Sequence, residues 1–180
     1  MWYGTPRYHY AGDSIGQLKG KTVFPVTFVT GCALIIRKAW LQTNGLLCER
    51  FFFGEEDVEF SWRVRQTGGS MLCLPTSIIY HKVGQSIGNA AKKNKIPQIY
   101  CHYLNRSIFL KTMWGNGLRW HAWKIFFYVY LYYVLLKRIR YPFYSTLLFL
   151  HDLWRDSRER IGIDSEYFHF IIRQKFNPES

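Results

Sequence analysis

Acidic residues are scarce in this chain. Asp and Glu number 12 against 24 Lys and Arg in 180 residues, a formal net charge of +12. A surplus of that size excludes an acidic, solvating chain and points to an anionic partner: nucleotide phosphates, a lipid surface or nucleic acid. No DNA- or RNA-binding motif accompanies the charge, so nucleic acid is set aside. Cysteine is sparse too. Cys32, Cys48, Cys73 and Cys101 stand 16, 25 and 28 residues apart with no CxxC, which excludes the common zinc spacings and a disulfide scaffold. Free thiols in a reducing compartment are expected. The N-terminus lacks an apolar signal core, and there is no internal repeat or low-complexity tract. The uncharged run over 125–136 (IFFYVYLYYVLL) is only 12 residues long, whereas a bilayer span needs about 20.

What is abundant is aromatic. The chain holds 7 Trp, 13 Tyr and 14 Phe, 19% of its residues, and its hydrophobic fraction of 48% excludes intrinsic disorder. An aromatic-lined cleft, a membrane-interface belt, or both are implied. The length suggests one domain with an appendage. Charge divides the halves: residues 1–90 hold 9 basic and 6 acidic residues, and 91–180 hold 15 and 6.

The residue pattern predicts mixed α/β structure first and helices afterwards. Residues 1–21 read as loop. One or two strands are expected over 23–30, interrupted by Pro25. A buried strand follows over 32–36, then a short helix over 38–43 ended by Asn44-Gly45. The next helix spans 55–67 and closes at Gly68-Gly69. Short strands are expected over 71–74 and 78–81, about a Pro75 turn. Residues 92–95 form a linker, and helices cover 99–113, 118–140, 143–160 and 165–175. The expected division is 1–95 and 96–180.

The run over 125–136 is bracketed by Lys124, Lys137, Arg138 and Arg140 and crowded by Tyr and Trp. That combination suits a helix lying in a membrane interface, with its basic residues on lipid phosphates. The alternative is a helical hairpin whose aromatics are core.

Chemistry concentrates between Val29 and Gly88. Glu55, Glu56, Asp57 and Glu59 place four carboxylates in five residues, directly after Phe51-Phe52-Phe53-Gly54. Acids in a first helical turn are favoured by the helix dipole alone. Behind three aromatics they are also candidates for a general base held at a cleft. His81, at the end of the 78–81 strand, is either structural, a metal ligand or a phosphate donor.

The order of these pieces resembles the C-terminal half of a family-2 glycosyltransferase of the GT-A fold. The matching residues are Thr30-Gly31-Cys32-Ala33, Gly45, Glu49, Phe52-Phe53, Glu56-Asp57-Val58-Glu59-Phe60, Arg63, Gly68-Gly69, Pro75, His81, Gly84 and Ser86. Tyr103-Leu104-Asn105-Arg106-Ser107 is similar to a segment of the bacterial rhamnosyl-type branch. The resemblance covers roughly residues 22–112. It implies an inverting sugar transfer from a nucleotide-diphosphate sugar to a glycan or lipid-linked acceptor, in bacterial cell-surface polysaccharide synthesis. Asp57 takes the position of the catalytic base, with Glu56 beside it. Gly31, Cys32 and Glu55 fall at the substrate. His81 matches a residue that helps hold a divalent metal, Mg or Mn, on the diphosphate. Arg63 is expected to pair with local acids.

The resemblance also implies a missing part. Such enzymes begin with a nucleotide-binding Rossmann-like half carrying an Asp-x-Asp motif. This chain has no Asp-x-Asp, and its only acid before Glu49 is Asp13. The expected fold class is therefore α/β, the acceptor-side half of a GT-A domain followed by a helical, aromatic, basic appendage. The expected enzyme is incomplete, binds no metal firmly on its own, and is peripheral at the inner face of the cytoplasmic membrane. The competing reading is a non-catalytic membrane-surface binding module.

Overall fold

A computed structural model describes residues 12, 14–18, 20–82 and 95–176. Most of the N-terminal loop, Asp13, Gly84, Gln85, Ser86 and the linker up to Asn94 lie outside the described residues. The chain is mixed α/β and mostly helical, with one small two-stranded sheet. It divides into two compact units. One comprises Met1–Cys48 with Glu56–Ser86, the other Glu49–Glu55 with Ile87–Ser180.

In the first unit, β1 (Phe24–Val26) pairs antiparallel with β2 (Met71–Cys73), placing Pro25 opposite Leu72. Pro25 continues the strand rather than interrupting it. A two-stranded ribbon has an open outer edge on each strand, where a missing N–H costs no ladder bond. Helix α1 (Lys38–Asn44) ends before Gly45, and α2 spans Glu56–Gln66. Phe60, Val64 and Met71 form the core, with Val29, Leu34, Ile36 and Trp40 packed on it. The ring of Trp40 meets Phe60 edge-on at 5.1 Å.

Two expected strands are not formed. Residues 32–36 are irregular with Ile35 fully exposed, and 78–81 are irregular with Ile78, Ile79 and Tyr80 exposed. An apolar run becomes a strand only where a neighbour takes up its N–H and C=O groups. Among the described residues the β1–β2 pair is the only sheet, so these runs have no ladder to join.

The second unit is helical. Its elements are α3 (Ile96–Trp114), α4 (Leu118–Tyr133) running into a π-helical turn (Val134–Arg138), α5 (Phe143–Glu159), and α6 (Ser165–Phe170) running into a second π-helical turn (Ile171–Lys175). Helix α3 starts earlier than the expected residue 99 because Pro97 sits in its first turn, where no N–H is required. Asp164 caps α6, its Oδ1 accepting from Tyr167 N at 2.8 Å. Tyr100, Leu104, Trp120, Leu135, Phe149 and Leu153 are fully buried between these helices.

The segment Glu49–Glu55 belongs to this helical unit, although the expected boundary lay at residue 95. Ile163 N donates to Arg50 O at 2.7 Å, and Phe52 N to Ile163 O at 3.0 Å. Phe51 is buried edge-on to Phe109, and Phe53 stacks on Phe168 at 4.9 Å. The aromatics before the acidic cluster thus pack among the helices.

Lys124 is also placed differently from its expected seat on lipid phosphate. It is 0% exposed, its Nζ donating to Ser157 Oγ at 2.8 Å and lying 3.8 Å from the Trp154 ring centroid. One side of α4 is core: Trp120, Trp123, Lys124 and Leu131 are buried on it. No helix among the described residues is long and apolar enough to cross a membrane.

Candidate functional site

Glu55, Glu56 and Asp57 are adjacent in sequence but serve different ends. Glu56 and Asp57 open α2, where exposed helix N–H groups favour negative charge. Asp57 Oδ2 accepts from Gly31 N at 3.3 Å, an exposed contact between residues 26 apart. Gly31 also lies close to Glu56: a Cβ at Gly31 would stand 3.5 Å from Glu56 Oε1. Beside Gly31, Thr30 Oγ1 and Cys32 Sγ share a hydrogen bond of 2.7 Å. Four of the expected residues, Gly31, Cys32, Glu56 and Asp57, are thereby brought together on the first unit.

Two side chains hold this arrangement, of which the sequence reading passed over Ser61. Ser61 is fully buried, accepts from Val29 N at 3.1 Å and donates to Asp57 O at 2.7 Å. It pins the segment leading to Gly31 onto the first turn of α2. Its position four residues after Asp57, on the same helix face, was the available signal. Arg63 secures the other end. Its Nε and Nη2 donate to Glu59 at 3.1 and 3.0 Å, its Nη1 to Asn44 O at 2.6 Å, and its Nη2 to Leu46 O at 2.7 Å. Arg63 pairs with a local acid, and it also ties the end of α1 to α2.

Glu55, expected at the substrate, is 3% exposed within the helical unit. Its Oε2 is 2.8 Å from Arg106 Nε, and its Oε1 is 3.8 Å from His102 Nδ1. Asn105 Nδ2 donates to Phe53 O at 2.9 Å, holding the same turn. Glu55 has φ of 74°, in the left-handed region that costs a side-chain-bearing residue about a kilocalorie or more. The Arg106 pair is what the turn gains from this backbone. Arg106 and Asn105, read as part of a family segment, therefore act as anchors of the Phe51–Glu55 turn.

His81 is exposed on the irregular stretch after β2. Among the described residues, no three His, Cys, Asp or Glu side chains come together as a metal site. A cavity lined by Lys111, Asn116, Arg158 and Glu159 lies in the helical unit and includes none of the expected site residues.

No family model matches this chain, and no curated protein or solved structure matches it either.

What the arrangement on the first unit can do follows from its groups. It presents a half-buried carboxylate at a helix start, a backbone N–H beside it, and a glycine leaving room in front. A carboxylate so placed can take a proton from a bound hydroxyl group.

Proposed function

We propose that the Gly31–Asp57 site is the acceptor side of a sugar-transfer centre using a nucleotide-diphosphate sugar, with Asp57 as general base. The observation that supports this most directly is the 3.3 Å contact that brings Asp57 to Gly31. It joins the two sequence pieces on which the resemblance to family-2 glycosyltransferases rests. In this reading Asp57 accepts the proton of the acceptor hydroxyl as its oxygen attacks the anomeric carbon. The carbon–oxygen bond to the diphosphate breaks with inversion, and the nucleoside diphosphate leaves with that electron pair. Glu56 shapes the acceptor side, and Gly31 and Cys32 keep the approach open. The GT-A fold, a glycan or lipid-linked acceptor, and a peripheral place at the inner face of the cytoplasmic membrane belong to the same proposal.

The test joins this chain to a donor-binding half and measures nucleoside diphosphate release in the presence of acceptor. Asp57→Asn is expected to retain folding and donor binding and to lose about 10²–10⁴-fold in turnover. Undiminished turnover in that variant would remove Asp57 from the role. A second reading, a membrane-surface module without catalysis, is favoured by the exposed apolar side chains of α4 and α5. It predicts vesicle binding with no transfer by the joined protein.

A further inference from the structure

The turn between α4 and α5 concentrates features that neither the sugar-transfer site nor the helical core uses. Val129 and Tyr133, one turn apart near the end of α4, are 66% and 62% exposed. Phe143 and Tyr144, opening α5, are 59% and 72% exposed, and Leu147 one turn on is exposed as well. The opposite side of each helix is satisfied in the core, through Leu131 and Leu135 on one and Thr146, Phe149 and Leu153 on the other. Large apolar side chains left in water on two successive elements mark an interaction surface.

The turn itself carries Lys137, Arg138 and Arg140, all exposed. It is an ordered turn. Ile139 N donates to Val134 O at 2.9 Å, Tyr141 N to Leu135 O at 2.8 Å, and Thr146 N to Pro142 O at 2.8 Å. Among the described residues no acid forms an ion pair with any of the three cations. None is near in sequence either: no Asp or Glu occurs between Glu59 and Asp152. Aromatic and aliphatic side chains next to uncompensated cations match an anionic bilayer surface. The rings enter the headgroup layer while the cations meet phosphate.

We infer that the α4–α5 turn, with Val129, Tyr133, Phe143 and Tyr144 inserting and Lys137, Arg138 and Arg140 on lipid phosphates, is the site at which this protein docks on an anionic membrane leaflet. This rests on the peripheral-membrane part of the proposal above and names the surface that performs it. Lys124 takes no part, being buried beneath Trp154.

The experiment is co-sedimentation of the purified chain with vesicles of phosphatidylcholine alone and of phosphatidylcholine mixed with phosphatidylglycerol, at low and high salt. Binding to the anionic vesicles is expected, weakened by salt because exposed charges are screened. The triple variant Lys137→Glu/Arg138→Glu/Arg140→Glu is expected to lose about a hundredfold or more in affinity. Lys38→Glu/Arg65→Glu, which reverses two exposed charges on the other unit, is expected to bind within a few-fold of the parent. Circular dichroism on both variants checks that the helices persist. If the triple variant binds as well as the parent, the docking surface is wrong and the peripheral reading survives. If the parent binds neither vesicle, both fail. If the parent instead dimerises in sedimentation and Phe143→Ser/Tyr144→Ser makes it monomeric without vesicle binding ever appearing, a second copy covers this face and the inference is overturned.

Discussion

Glu55 Oε2 and Arg106 Nε lie 2.8 Å apart, with Glu55 3% and Arg106 6% exposed. This buried pair holds the turn before α2 against α3, at a residue whose own backbone is in the left-handed region. The position of Glu55 thus depends on a guanidinium 51 residues away along the chain.

Glu55→Ala is therefore expected to be among the costliest single changes. It leaves the Arg106 charge buried without this carboxylate, which typically costs 3–5 kcal/mol. Adding Arg106→Met is expected to recover part of that loss. Urea unfolding of the two single variants and the double variant measures it. A Glu55→Ala protein within about 0.5 kcal/mol of the parent would show that the pair holds nothing.

Lys124 makes stability depend on pH in a stated direction. Burial, with smaller contributions from Arg158 and Lys111, lowers its pKa from 10.5 to about 8. The rings of Trp154 and Trp120, at 3.8 and 4.3 Å, favour the cation and oppose burial without overcoming it. Because the folded chain holds this proton less tightly than the unfolded chain, stability from this group rises as pH climbs from about 8 toward 10.5. Relative to Lys124→Met, the parent is expected to gain about 2 kcal/mol at most between neutral pH and pH about 10. Denaturant melts of both proteins at the two pH values test this. Parallel pH dependences would mean that Lys124 is not desolvated.

Gly162 is expected to tolerate no side chain. A Cβ there would stand 2.2 Å from Arg50 O, at the place where Ile163 N meets the same carbonyl. Gly162→Ala must push the Glu49–Glu55 segment off the helical unit, at a cost of about 1–3 kcal/mol or more. Gly31→Ala is the control. Its Cβ would meet Glu56 Oε1 at 3.5 Å, an ordinary contact, so thermal stability is expected to be unchanged. Equal melting temperatures for the two variants would refute the close approach at Gly162.

Much of this architecture is written locally. The helix ends at Asn44-Gly45 and Gly68-Gly69, the helical second half and the excess of cations can all be read along the chain, because caps, breakers and periodicity act within a few residues. Pairing could not be read that way. Residues 32–36 and 78–81 have strand-like composition, but among the described residues no neighbouring strand takes up their backbone groups. Nor did sequence separate three adjacent carboxylates into a buried structural Glu55 and a Glu56 and Asp57 beside Gly31. That division depends on Arg106 and Gly31, each remote in sequence from the acid it contacts. The same holds for the basic residues about the aromatic run. Composition placed Lys124, Lys137, Arg138 and Arg140 together. Only packing decided that Lys124 lies between tryptophans while the other three remain in water, because desolvation depends on which helix face meets a neighbour and not on the charge itself.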